Sequence, residues 1–143
     1  MEHMQWVGPF KIDELLDHMM ESFHERPPEA KGVYLISQRP WNGKPTAKCD
    51  PLYVGSTMGK SKRLRTRIGD LIADLFGFFG EETGHHSGGV TIYDYCKEHK
   101  INPKGLYIGW LKGVGCLRCN VNKVYEKLNP PLNRNRPFRC IDH

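Results

Sequence analysis

Residues 32–37, with the sequence Gly-Val-Tyr-Leu-Ile-Ser, and residues 52–56, with the sequence Leu-Tyr-Val-Gly-Ser, decide the fold of this chain. Both runs are short and rich in β-branched and aromatic residues, which is typical of buried strands. Residues 38–50 separate them and carry two prolines, an asparagine and a glycine, which is loop chemistry. The sequence therefore predicts a pair of strands joined by a long connection.

Outward from this pair, apolar residues recur at helical spacing. Residues 11–23, 63–76 and 117–128 each carry one apolar stripe, and residues 90–99 suit a further helix. Residues 105–111 read as a third strand. The predicted order is helix, two strands, two helices, strand, helix, which is a mixed α/β arrangement. We take residues 1–29 as an N-terminal helical extension and residues 30–143 as the main part of a single domain.

The length and charge of the chain limit the number of domains and the kind of partner that we expect. The chain has 143 residues, which suits one domain with one core, and a net charge of +5, which suits a polyanionic partner such as nucleic acid. No apolar run approaches the ~20 residues of a membrane span, and the first ten residues lack a signal-peptide pattern. We therefore expect a cytoplasmic protein that does not bind membranes.

Three paired spacings suit tetrahedral zinc, because thiolate and imidazole are the ligands that zinc prefers. They are Cys96-x-x-His99, Cys116-x-x-Cys119 and Cys140-x-x-His143. The first two pairs together would make a structural site with three cysteines and one histidine. Cys140 and His143 could instead supply the second half, and Cys96 could simply be a small buried side chain in a helix.

Gly32-Val33-Tyr34 and Tyr53-Val54-Gly55 resemble the two halves of the signature of the GIY-YIG endonuclease family, each with Val for Ile. Three further features follow in the order that the family shows. Arg67 lies near the start of a helix, a strand and a helix come next, and Pro130-x-x-Asn133 resembles the family's terminal Pro-x-x-Asn. The resemblance spans about residues 30–135 and implies a small three-stranded antiparallel sheet flanked by helices.

The resemblance also implies a metal-dependent endonuclease that hydrolyses phosphodiester bonds of DNA, in which each of four residues has its own role. Tyr34 would act as general base or position the attacking water, and Tyr53 would hydrogen-bond the phosphate or the water. Arg67 would stabilise the pentacovalent phosphate through its planar donors. Asn133 would fasten the last helix to the site. A single Mg²⁺ or Mn²⁺ ion would stabilise charge on the phosphate and assist the leaving oxygen.

A short basic stretch lies between the second strand and the helix of Arg67. Its positive side chains would contact phosphates and position the protein without reading base sequence, although a solvated surface is the plain alternative. The candidates for nucleic-acid binding are Lys60, Lys62, Arg63 and Arg65. One of the two lysines would alternatively lower the pKa of a catalytic tyrosine.

Two positions depart from the family pattern. The family carries His or Tyr one turn after its arginine, where this chain has Leu71. The family's metal-binding glutamate lies twelve residues before the terminal asparagine, and that position is Val121, which cannot bind a hard cation. Glu126 is the nearest acid on this helix, and we take it as the candidate metal ligand. It lies five residues further on, or about 140° around the helix.

Three functions follow from these patterns. The first is a GIY-YIG-type endonuclease. The second is a nucleic-acid-binding module that keeps the fold and has lost catalysis, as Val121 would allow. The third is a zinc-stabilised interaction domain with no nucleic-acid role. Because a domain of this size reads little DNA sequence alone, we expect a partner, a homodimer or structure-specific cutting.

Overall fold

The computed structural model describes residues 5–15, 27–57, 63–76, 87–112, 115–133, 136–137 and 140–141. Four strands and three longer helices lie within these ranges. In chain order they are β1 (Trp6–Lys11), β2 (Gly32–Ser37), β3 (Pro51–Ser56), α1 (Leu64–Leu75), α2 (Ser87–His99), β4 (Tyr107–Lys112) and α3 (Leu117–Leu128). Single 3-10 turns precede β3 and β4. In these parts of the chain, no helix has both the length and the apolar character that a membrane crossing requires.

The strands form one antiparallel sheet in the order β1-β4-β2-β3. The prediction of a mixed fold with an antiparallel sheet is confirmed, whereas the prediction of three strands is wrong. The fourth strand, β1, lies in the segment for which the sequence predicts a helical extension. Its pairing with β4 shifts register between Val7 and Phe10, where Gly8 and Pro9 interrupt the alternating pattern. Proline is confined to edge strands and bulges, so this strand is hard to recognise from sequence.

The sheet has a core on each face, because side chains alternate along its central strand, β2. Tyr34 and Ile36 pack in the larger core with buried residues of α1 and α2. Val33 and Leu35 face the other core, which contains Val121 and other apolar residues of α3. The helix that carries Arg67 and the helix that carries Glu126 therefore lie on opposite faces of the sheet.

The predicted helices are found, with small shifts of their ends. The apolar stripe of α1 is buried along its length, and α3 has the predicted bounds. Helix α2 begins at Ser87, three residues before the predicted start, so that two glycines form its first turn. Of the predicted helix over residues 11–23, the described residues 12–15 are helical, with Ile12 and Leu15 fully buried, and residues 16–23 lie outside the described part.

Candidate functional site

Tyr34 lies at the centre of the sheet and is fully buried. Its neighbours in register are Gly55 on β3 and Trp110 on β4. The phenol extends across Gly55, where an added Cβ would overlap the Tyr34 hydroxyl group. The glycine at the end of the Tyr53-Val54-Gly55 motif therefore provides the space that the tyrosine of the first motif requires.

Tyr53 lies on the same face of the sheet and is half-buried. The centroids of the Tyr34 and Tyr53 rings are 6.2 Å apart, with the ring planes inclined by 39°. The first turn of α2 closes over Tyr53 at Gly88, where an added Cβ would lie 2.6 Å from the Tyr53 hydroxyl oxygen. Sequence reasoning missed Gly88, because nothing local indicates that this glycine contacts a residue on a distant strand.

Arg67 completes this group from helix α1. The Tyr34 hydroxyl shares hydrogen bonds with the side chains of Tyr53 and Arg67, so the three polar groups meet at one place. Helix α1 has no side-chain N-cap. Instead, the amides of Leu64 and Arg65 donate to backbone carbonyls in the segment that leads into β2, at 2.8 Å and 3.1 Å. These bonds satisfy amides that a helix start leaves without partners and fix the helix of Arg67 beside β2.

Burial controls the protonation of both phenols. Burial raises the pKa of Tyr34 well above its ordinary value of 10.0, the nearby Tyr53 raises it further, and Arg67 opposes both effects. Burial also raises the pKa of Tyr53, which the charge of Arg67 partly offsets. Both phenols are therefore neutral near pH 7. A neutral Tyr34 donates and accepts hydrogen bonds but does not take a proton from water, which counts against the general-base role and favours a positioning role.

Asn133 binds the exposed edge of β3. Its Oδ1 accepts from the Val54 amide at 2.9 Å, and its Nδ2 donates to the Val54 carbonyl at 2.8 Å. The Leu132 amide donates to the Leu52 carbonyl at 2.9 Å. The two residues that flank Tyr53 are thus both held by the segment after α3. These bonds attach the segment after α3 to the strand that carries Tyr53.

The predicted basic cluster is only partly described. Arg65 uses its Nε to donate to the Pro27 carbonyl at 2.9 Å, and its Nη1 lies 3.6 Å from a Glu29 carboxylate oxygen. Much of its donor capacity therefore goes to the segment before β2. Arg63 is half-buried at the start of α1, and Lys60 and Lys62 lie outside the described residues.

Glu126 does not join the tyrosines. It is exposed on α3, on the other side of the sheet, and its carboxylate pairs with Arg136. Val121, at the position of the family's glutamate, is 3% exposed and packs in the core. The arrangement corrects the expectation that Glu126 ligates a cation at the tyrosine site, because α3 uses its sheet-facing side for apolar packing.

Two carboxylates that the sequence analysis did not select as metal ligands lie on the helix of Arg67. Asp70 and Asp74 follow the arginine by three and seven residues, a spacing that places all three on one side of a helix. Asp74 is 1% exposed. It lies against the first turn of α2, where a Cβ added at Gly89 would be 3.1 Å from Asp74 Oδ2. The helical spacing from Arg67 was the signal that could have identified these residues.

Three cysteines meet at the start of α3. The Sγ atoms of Cys116, Cys119 and Cys140 all lie within 4.8 Å of one another. The prediction that Cys96 and His99 complete a site with Cys116 and Cys119 is corrected, because no other His, Cys, Asp or Glu among the described residues joins this group. Cys140, from the alternative pair, lies close to Cys116 and Cys119 instead. His143, the other member of that pair, lies outside the described residues.

Cys96 and His99, which do not join the three cysteines, lie elsewhere in the fold. Cys96 is buried in the larger core, where burial raises the pKa of its thiol to about 11. His99 is exposed, and its ring stacks on Tyr95 at a centroid distance of 4.2 Å. The plain alternative, that Cys96 serves as a small buried side chain, fits these contacts.

Comparisons of the chain with protein-family models, with curated proteins and with solved structures found no match.

Proposed function

We propose that this protein is a metal-dependent DNA endonuclease that hydrolyses phosphodiester bonds at the site formed by Tyr34, Tyr53 and Arg67. The observation that carries the proposal is the convergence of these three side chains from β2, β3 and α1. The same three residues were selected through the resemblance to the GIY-YIG family. The net charge of +5 is consistent with a polyanionic substrate.

The proposed chemistry is the attack of water on phosphorus. A bond forms between the water oxygen and phosphorus, the bond to one ester oxygen breaks, and a proton passes from the water to solvent while the leaving oxygen gains one. Negative charge accumulates on the non-bridging oxygens, so fixed donors that face them lower the barrier. Arg67 and Tyr53 are half-buried and retain access to a ligand, so they would contact the phosphate.

Tyr34 has a different part in this proposal, since it is fully buried. Its hydrogen bonds to Tyr53 and Arg67 would hold the two phosphate-binding groups in a fixed orientation. Such positioning avoids reorganisation of the site during the reaction. Asn133 would assist by holding the backbone on both sides of Tyr53.

The proposal includes a divalent cation, Mg²⁺ or Mn²⁺, which would neutralise charge on the phosphate and the leaving oxygen. Hard cations need oxygen ligands. Glu126 does not provide such a ligand at this site, because it pairs with Arg136 on the other side of the sheet. Asp70 and Asp74, on the helix of Arg67, are the acidic side chains that we propose for this role in place of Glu126.

Nicking of supercoiled plasmid tests the proposal. Wild-type protein is expected to convert supercoiled plasmid to open circles in Mn²⁺ and to stop when a chelator is added. Tyr53→Phe should reduce the rate, and Glu126→Gln should leave it unchanged because this carboxylate lies away from the site. The nuclease proposal is rejected if no nicking occurs with any divalent cation, or if nicking survives Tyr53→Phe at the full rate.

A second candidate is a nucleic-acid-binding module that does not cut. The observations that favour it are the buried Val121 and the pairing of Glu126 with Arg136, which leave the family's cation position without an acid. This candidate predicts DNA binding that weakens steeply with salt and no cleavage. A failure to bind DNA even at low salt would exclude both candidates and favour an interaction domain.

A further inference from the structure

The cysteine group at the start of α3 has the dimensions of a metal site. Tetrahedral zinc with Zn–S bonds of about 2.3 Å separates its sulfur ligands by roughly 3.8 Å. Here Cys116 Sγ lies 3.5 Å from Cys140 Sγ, and all three sulfurs lie within 4.8 Å of one another. Movements of up to about 1 Å would therefore let one cation contact all three sulfurs.

The start of α3 orients two of the three sulfurs. Cys116 is the N-cap residue of α3, and the Cys119 amide donates to its sulfur at 3.5 Å. The Cys116-x-x-Cys119 pair thus presents two sulfurs on one helical turn, at a spacing that is typical of structural zinc sites.

The third sulfur comes from the segment after α3. Cys140 is half-exposed, as are Cys116 and Cys119, so an ion can reach the group from solvent. The same segment is already attached at Asn133, which binds Val54, and at Arg136, which pairs with Glu126. A metal on Cys140 would add a third attachment and would hold this segment at both ends of α3.

A disulfide is the competing use of these residues. None of the five cysteines is in a disulfide, and a bond between Cys116 and Cys140 would use two of the three sulfurs and leave Cys119 beside it. A metal would use all three. Soft thiolates select zinc over Mg²⁺ or Mn²⁺, so this site differs in chemistry from the proposed nuclease cation.

We propose that Cys116, Cys119 and Cys140 bind one Zn²⁺ ion, which fastens the segment after α3 to the start of that helix. The site lies on the α3 side of the molecule and does not depend on the proposed nuclease function. The proximity of the three sulfurs carries the proposal.

Metal analysis tests the proposal on the full chain, purified under reducing conditions without chelator and equilibrated with zinc before desalting. We expect about one zinc ion per chain, as for a structural site. Cys140→Ser should lower the zinc content at least several-fold. The matched control is the double variant Cys96→Ala with His99→Ala, which removes the pair that sequence spacing favoured and should retain zinc.

Cobalt substitution keeps the test decisive if a cysteine variant fails to fold. Wild-type protein loaded with Co²⁺ should show thiolate-to-cobalt charge-transfer absorption and the intense visible bands of a tetrahedral site. The proposal is overturned by zinc below ~0.2 per chain together with the absence of these bands. It is also overturned if Cys140→Ser retains full zinc, or if the zinc-equilibrated, reduced protein contains a Cys116–Cys140 disulfide by mass spectrometry.

Discussion

At the scale of single residues, the site depends on how closely the Tyr34 phenol approaches β3. The Tyr34 hydroxyl lies where a side chain at Gly55 would otherwise be, and it bonds there with Tyr53 and Arg67. The second motif thus provides a tyrosine that bonds to Tyr34 and a glycine that leaves space for the Tyr34 ring. The sequence resemblance selected the two tyrosines and the arginine as candidate site residues. The reason for the glycine lies in the packing of the Tyr34 ring against β3, which the sequence does not show.

Gly55→Ala should destabilise the protein, because the added methyl group overlaps a buried ring in the centre of the sheet. We expect a loss of about 1–3 kcal/mol or more in the free energy of unfolding. Gly69→Ala is the matched control, since it lies within α1 with open space around an added Cβ. It should gain roughly 0.5–1 kcal/mol through helix propensity. Urea denaturation of both variants measures the difference, and equal effects would contradict the packing argument.

The raised pKa values of Tyr34 and Tyr53 predict a loss of stability at high pH. Near pH 7 both phenols are protonated in the folded and the unfolded chain. As the pH rises past the ordinary value of 10.0, the unfolded chain releases these protons while the folded chain retains them. The free energy of unfolding therefore falls above about pH 10.

Tyr34→Phe should flatten this decline, because it removes the phenol with the pKa raised well above its ordinary value. The measurement is urea denaturation of both proteins at several pH values between neutral and strongly alkaline. Identical slopes for variant and wild type would show that Tyr34 ionises normally and is not held neutral by burial.

At the scale of elements, the edge of β3 is protected by the segment after α3. Exposed strand edges present unpaired amides and carbonyls, and here Leu132 and Asn133 bind them at Leu52 and Val54. The Pro-x-x-Asn motif thus has a structural explanation that needs no catalysis. Its partner on β3 could not be predicted from spacing, because the pairing joins positions 79 residues apart.

Asn133→Asp should weaken this attachment, since a carboxylate accepts from the Val54 amide but repels the Val54 carbonyl. We expect a loss of roughly 1–3 kcal/mol in the free energy of unfolding at pH 7. Asn42→Asp makes the same chemical change in an exposed loop and should stay within about 0.5 kcal/mol of wild type. Thermal or urea denaturation compares them, and matching losses would argue against a specific bond at Val54.

Some helices and strands could be predicted from the sequence, and others could not. The stripes of α1 and α3 and the apolar run of β2 were clear, because each element packs one regular face or is buried throughout. Strand β1 was missed because Gly8 and Pro9 break its alternation at a bulge. The first turn of α2 was missed because Gly88 and Gly89 disfavour helix locally, and their close contacts with Tyr53 and Asp74 explain them.

At the scale of the whole molecule, chain topology decides which chemically suitable residues meet. Cys96 and Cys140 are equally good ligands by spacing, but α2 directs Cys96 into a core while the last segment returns to Cys116. Topology likewise places Glu126 and the tyrosines on opposite faces of the sheet. Such long-range choices do not follow from local patterns, which is why the candidate metal ligands were predicted less well than the helices.

The net charge of +5 predicts that nucleic-acid binding is electrostatic. The logarithm of the association constant for a short DNA duplex should fall linearly with the logarithm of salt concentration, with a slope of about −0.9 for each phosphate contacted. Fluorescence anisotropy with labelled duplex DNA measures this slope. Affinity that does not change between low and moderate salt would show that phosphate contacts do not drive binding.

The central claim is that Arg67 acts on a phosphodiester that it contacts together with Tyr53, while the buried Tyr34 holds both side chains in place. Its most direct test is the single-turnover nicking rate of Arg67→Ala in Mn²⁺, with DNA affinity measured on the same preparation. Arg39→Ala is the control, because this arginine pairs with Asp50 in an exposed loop. We predict that Arg67→Ala lowers the rate about 10²–10³-fold while affinity changes little, and that Arg39→Ala preserves the rate. A rate for Arg67→Ala equal to that of wild type would contradict the account.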